Sequence, residues 1–99
     1  MPDMMLTFYC VAADGAPLAQ AMRDESGGIV HLRPETVFGR DFSDACTAEQ
    51  VAGQLDRAAV ALIVPGNAVD ALVARVAALQ RSGPVRWQVT PVLAAGRIA

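Results

Sequence analysis

The chain has 99 residues, a net charge of −2, 54% hydrophobic residues and a mean hydropathy of +0.34. That is room for one domain and too little for two. The eight basic residues are all arginine and form no stripe that would neutralise a nucleic-acid backbone, and no apolar run approaches the roughly 18 residues of a membrane span.

A small domain exposes much of its surface, so an apolar content this high points to surface hidden in an interface. Residues 1–11 lack a basic leading segment and are interrupted by Asp3, so no secretory signal is read there. Cys10 and Cys46 do not make a disulfide framework, and the expected compartment is the cytosol.

Met4 to Ala12 (MMLTFYCVA) reads as a strand that is apolar on both faces. Met4, Leu6, Phe8 and Cys10 take one face, and Met5, Thr7, Tyr9 and Val11 the other. Asp14-Gly15-Ala16-Pro17 looks like a helix start, with Asp14 as the cap and Pro17 in the first turn. Leu18, Ala21 and Met22 form its apolar stripe, and Ser26-Gly27-Gly28 stops it. Ile29 to Phe38 alternates, with Val30, Leu32 and Phe38 against His31, Arg33 and Glu35. Pro34 cannot donate a ladder hydrogen bond, which predicts an edge strand or a bulge.

The segment 39–53 is polar and poorly periodic, a long connection with a possible capping box at Thr47 and Gln50. Leu55 to Val64 is again apolar on both faces, with Val60, Leu62 and Val64 against Ala59, Ala61 and Ile63. After Pro65-Gly66, Asn67 is placed to cap a helix. Its stripe of Val69, Leu72, Val73, Val76 and Leu79 is the cleanest helical period in the chain. Ser82-Gly83-Pro84 ends it. Val85 to Val92 is the last strand, with Val85, Trp87 and Val89 opposite Arg86, Gln88 and Thr90, and a short tail follows.

The order strand, helix, strand, strand, helix, strand is the ferredoxin-like βαββαβ pattern, an α+β fold with an antiparallel four-stranded sheet and two helices on one face. That fold centres the first and third strands, the two that are apolar on both sides. The uncovered face would carry Met5, Tyr9, Val11, Ala59, Ala61 and Ile63. Hiding several such side chains is worth several kcal/mol at about 25 cal/mol per Å². Self-association through this face is therefore expected. A tail or loop folded over it within one chain is the competing arrangement.

Glu49-Gln50-Val51-Ala52-Gly53, Leu62-Ile63-Val64-Pro65, the helix from Val69 to Leu79 and above all Arg86-Trp87-Gln88-Val89-Thr90-Pro91-Val92-Leu93-Ala94-Ala95-Gly96-Arg97 resemble the bacterial domain-of-unknown-function 3240 family. The likeness is closest from Glu49 onward. This family stands with the PII signalling and CutA metal-tolerance proteins in the PII-like superfamily. The resemblance implies a cytosolic homotrimer with inward-facing sheets and a regulatory role, often beside heavy-metal efflux systems. It further implies that 39–53 is a signalling loop that docks on a partner such as a membrane transporter or efflux component.

PII proteins proper bind adenine nucleotides between subunits through a Gly-Asp-Gly-Lys turn after the second helix. Here the same place reads Gln80-Arg81-Ser82-Gly83-Pro84, without the lysine and with a proline that removes a donor. The modifiable tyrosine of the PII loop also has no counterpart.

Arg40, Arg86 and Arg97 are the candidate anion-binding residues, because a trimer could bring loop base and tail of neighbours together into a bidentate fork. Salt bridges between subunits are the plainer use for them. His31 and Cys46 are the candidate metal ligands, in the manner of CutA, with Cys10 or Glu35 as partners for His31. No CxxC, HxH or HxxxH spacing accompanies them. A solvated histidine and an unactivated loop cysteine are the simpler readings. Asp41, Asp44 and Glu49 do not follow a calcium-loop spacing, Cys10 reads as inert core, and Trp87 reads as core rather than as a ligand platform. No nucleophile–base pair or phosphate-binding loop stands out, so neither an enzyme nor a resident cofactor is expected. The functional readings are a trimeric PII-like sensor or adaptor, a CutA-like metal handler, and an oligomeric module without ligand.

Overall fold

The computed structural model describes residues 2–39 and 54–99. The described elements are β1 (Asp3–Val11), α1 (Gly15–Ser26), β2 (Val30–Phe38), β3 (Gln54–Pro65), α2 (Val69–Ala77) and β4 (Arg86–Pro91). Single 3-10 turns at Ala12–Asp14 and Gly66–Ala68 lead into the helices. The strands form one antiparallel sheet in the order β2-β3-β1-β4. This is the expected ferredoxin-like arrangement, with the two doubly apolar strands in the centre.

The helices cover one face. Leu6, Phe8 and Cys10 of β1 and Val60 and Leu62 of β3 point into the core, where Leu18, Ala21 and Met22 of α1 and Val69, Leu72 and Val76 of α2 meet them. The spacing of these helical residues lays each set along one stripe. Gly27, at φ 67°, closes α1 by donating its N–H to the Arg23 carbonyl at 2.9 Å, the left-handed helix stop that glycine permits. Gly15 has a different role. A Cβ there would lie 2.7 Å from the Ala58 Cβ and 3.0 Å from Leu32 Cδ1, so glycine lets the start of α1 approach the sheet.

Pro34 is accommodated because β2 is an edge strand; its register with β3 runs from Val30↔Leu62 to Phe38↔Gln54 without a bulge. Two expected caps are not made. Asp14 makes no side-chain cap to α1, and Ala68, without a side-chain cap, precedes α2 while Asn67 lies in the turn before it. In both places the 3-10 turn supplies the lead into the helix. The helix α2 also ends at Ala77, two residues before Leu79. The expected capping box at Thr47 and Gln50 lies outside the described residues.

Candidate functional site

Cross-strand pairing sets the open face of the sheet in rows. One row reads Thr90, Met5, Ile63, with Ile29 next in line beyond the last printed pair; the next reads Gln88, Thr7, Ala61, His31; the third reads Arg86, Tyr9, Ala59, Arg33. Val11, Arg57 and Glu35 form a fourth. The apolar part is concentrated at one end, where Ile29 is 80% and Ile63 46% exposed and Met5 is half-buried. Tyr9 and Val11 are also half-buried. Ala59 and Ala61 are already buried in a single chain, because larger neighbours on the flanking strands overhang these short side chains.

Tyr9 is tied to the edge strand. The Arg86 guanidinium sits 4.5 Å from its ring centroid, and Gln88 Nε2 donates to its hydroxyl at 3.1 Å. A cation over a tyrosine face is held by the ring quadrupole. The centre of the open face is therefore amphipathic. Arg57 is buried beside this face, with Nη1 donating to the Asp56 carbonyl at 2.8 Å.

The second feature is the turn after α2. The Asp14 carboxylate, itself buried, accepts the Ser82 N–H at 2.9 Å on Oδ1 and 3.0 Å on Oδ2, and the Gly83 N–H at 3.1 Å on Oδ2. Consecutive amides converging on one acceptor are the usual cradle for an anion. Here an anion of the chain itself fills it. A phosphate entering this turn would compete with Asp14 for both amides and meet its charge at close range. The sequence signal for this contact was an acidic residue before α1, which serves equally well as a helix cap; its partners are 68 and 69 residues away.

Cys10 is fully buried, its thiol 3.7 Å from the Ala58 carbonyl. Burial, with Asp14 adding and Arg57 opposing, pushes its pKa from 9.0 up to about 11. That suppresses the thiolate needed for nucleophilic or metal chemistry, as the sequence reading of inert core expects. His31 is exposed, opposite Ala61 on β2. Among the described residues no three His, Cys, Asp or Glu side chains are grouped to hold a metal. Cys46 and Arg40 lie outside the described residues, as do the 40–53 part of the proposed loop and its three carboxylates.

The described candidates for anion binding are separated along the chain's end: Arg86 is stacked on Tyr9 in β4, and Arg97 is exposed in the tail. Trp87 departs from the expectation of core. It is 46% exposed and lines a cavity of about 130 Å³ with Phe8, Val76, Arg81 and Val85. Its strand is at the edge of the sheet, so no further described strand covers its outer side. No described helix is long and apolar enough to cross a membrane.

These features define a small α+β domain with a ferredoxin-like sheet, one face under helices and the other open. The chain belongs to the DUF3240 family of proteins of unknown function, whose sequence pattern matches residues 2–99. It is similar in fold to the crystal structure of a DUF3240 family protein from Shewanella baltica OS155, with a TM-score of 0.77 at 14% identity over 100% of this chain and 99% of that one. A Bacillus cereus protein related to NIF3 matches at 0.71 and 11% identity, over 97% of this chain but 26% of that one. A functionally unknown protein from Pediococcus pentosaceus ATCC 25745 matches at 0.65 and 12% identity, over 99% of both chains. No curated protein matches the sequence.

Proposed function

We propose that this chain is a self-assembling regulatory module rather than an enzyme. In this reading it is a cytosolic homotrimer of PII-like subunits whose open sheet faces turn inward and whose 39–53 segment docks on a transporter or efflux component. The open face carries the proposal. Two described helices lie against one side of the sheet and leave Ile29, Ile63, Met5, Tyr9 and Val11 wholly or partly in water on the other. An apolar patch of this kind on a small domain is characteristic of an interaction surface. The three-fold number and the regulatory role rest on the resemblance to PII-like proteins.

The filled turn at Ser82 and Gly83 sharpens the chemistry. A module of this kind would not hold a nucleotide phosphate through those two amides while Asp14 occupies them. Any small ligand would be recognised elsewhere, and Arg40, Arg86 and Arg97 gathered from neighbouring subunits remain the proposed anion contacts.

Light scattering on the purified chain tests the assembly: a mass near three times 10.4 kDa is expected, and a monomer at all concentrations refutes it. Ile63→Asp, which places a charge in the proposed interface, should give monomers that keep the native circular dichroism. A thermal-shift screen of nucleotides and divalent metals run beside it tests the sensor role. A response to zinc or copper that is lost in Cys46→Ser would favour metal handling instead.

A further inference from the structure

The space between α2 and β4 lies within one chain and away from the open face. Phe8 and Trp87 are direct partners across β1 and β4 and so share the helix side of the sheet. Together with Val76 of α2 they bound the cavity of about 130 Å³. Phe8 and Val76, both buried, form its floor, and the half-buried Val73 and Val85 form its sides. Trp87, 46% exposed, and Arg81, also exposed, stand where it meets solvent. No acidic residue lines it.

Arg81 gives this apolar space a charged end. Its Nη1 donates to the Gly83 carbonyl at 3.0 Å. That carbonyl belongs to the turn whose amides the Asp14 carboxylate holds, so the guanidinium is tied to a fixed piece of backbone. Among the described residues it meets no carboxylate. The Nε–Nη2 edge of a guanidinium tied in this way can still donate two parallel bonds to one carboxylate. Size limits what can enter beside it. An apolar cavity of about 150 Å³ holds one benzene ring, so the space here takes a single ring and excludes a base with its sugar. The Phe8 and Trp87 rings favour an aromatic guest, which they can meet edge to face or offset.

We propose that this cavity binds a small aryl carboxylate, its ring among Phe8, Val76 and Trp87 and its carboxylate on Arg81. Covering the wetted part of the indole supplies the apolar gain, and the charge-assisted pair fixes the orientation. A neutral ring would lose the pair, and a short aliphatic acid would lose the ring. The site needs no second copy, so it is independent of the self-assembly reading and of the anion contacts proposed between subunits at Arg40, Arg86 and Arg97. It also differs from a phosphate held by the turn amides, because here a side chain and not the backbone meets the anion.

Trp87 is the one tryptophan of the chain, so its fluorescence reports on the cavity. Benzoate is titrated at constant ionic strength, beside acetate and benzyl alcohol. A saturable change at about millimolar benzoate is expected for so small a ligand. Acetate and benzyl alcohol should each bind at least about tenfold more weakly. Arg81→Gln, a change at an exposed position, should weaken benzoate by about tenfold or more and leave benzyl alcohol unaltered. Ala77→Leu, which adds bulk to the lining, should weaken both. Circular dichroism checks that the two variants keep the fold. The proposal is overturned if the wild type shows no saturable response to benzoate. Benzoate bound equally well by Arg81→Gln, or undiminished in Ala77→Leu, overturns it too. A chain that binds benzoate as expected yet stays monomeric supports this site while refuting self-assembly.

Discussion

The contact between Asp14 and the turn after α2 makes a sharp prediction, because a charge is held there by backbone alone. Asp14→Ala removes an acceptor that meets two amides in three contacts of 2.9 to 3.1 Å. A hydrogen bond to a charged group contributes about 1.5–3 kcal/mol. Two donors set a gross loss of roughly 3–6 kcal/mol. Ser82 is exposed and Gly83 half-buried, so water can reach the vacated amides and recover part of this. The expected net loss is about 2–3 kcal/mol, or a fall in Tm of roughly 10–20 °C for a chain this size. Asp14→Asn keeps one acceptor oxygen without the charge and should lose about half as much.

Urea unfolding followed by Trp87 fluorescence measures both variants. The second arm uses inorganic phosphate. The Asp14→Ala turn presents two amides with no internal anion, so millimolar phosphate should raise its Tm by linkage, whereas the wild type should respond no more than to chloride at equal ionic strength. Asp14→Ala within about 0.5 kcal/mol of wild type, the ordinary range for an inert surface change, would refute the energetic reasoning. Phosphate stabilising the wild type equally would refute the idea that the turn is occupied.

Cys10 supplies a pH prediction. Its folded pKa, about 11 against 9.0 when unperturbed, means that the folded chain holds this proton more tightly than the unfolded one. The contribution is fully present below pH 9 and is lost as pH rises towards 11, by up to about 3 kcal/mol. Urea titrations at pH 8 and 10.5 should show a decline that Cys10→Ala lacks. Gly15→Ala should destabilise by about 1–2 kcal/mol net, since the overlap with Ala58 exceeds the gain in helix propensity, and Ala58→Gly in the same chain should recover much of it. By contrast the exposed Arg75–Glu25 pair, 3.1 Å apart between the two helices, should be worth under about 1 kcal/mol in a double-mutant cycle.

The architecture was legible in the sequence because its signals are local. A strand apolar on both faces must be covered on both faces or hidden, and β1 and β3 carry that pattern while β2 and β4 do not. The sheet order β2-β3-β1-β4 follows from it, as does the edge position of Pro34. What escaped is what depends on distant neighbours. Asp14 and Asn67 have the chemistry of helix caps, and nothing near Asp14 reveals amides almost seventy residues on. Ala59 and Ala61 were read correctly as open-face residues, but their burial is decided by the bulk of β1 and β2 side chains beside them. Trp87 lies on the expected face, yet on an edge strand part of its ring stays in water.

Magnitudes bound what the open face contributes to association. Holding two molecules together costs roughly 4–15 kcal/mol in lost freedom, and full burial of an exposed aliphatic side chain returns about 1.5–3 kcal/mol. On the open face only Ile29 and Ile63 are described as large, exposed aliphatics. Met5, Tyr9 and Val11 have already spent part of their area within the chain, and the two alanines have spent nearly all of it. The described open-face residues by themselves therefore return only part of that cost. Leu93 and Ile98, beyond β4, keep nearly all of their area in water, and covering them on association would add to that return. Ile63→Ala should accordingly weaken self-association less than Ile63→Asp, which adds the cost of burying a charge; equal effects in sedimentation would refute this account of the open face.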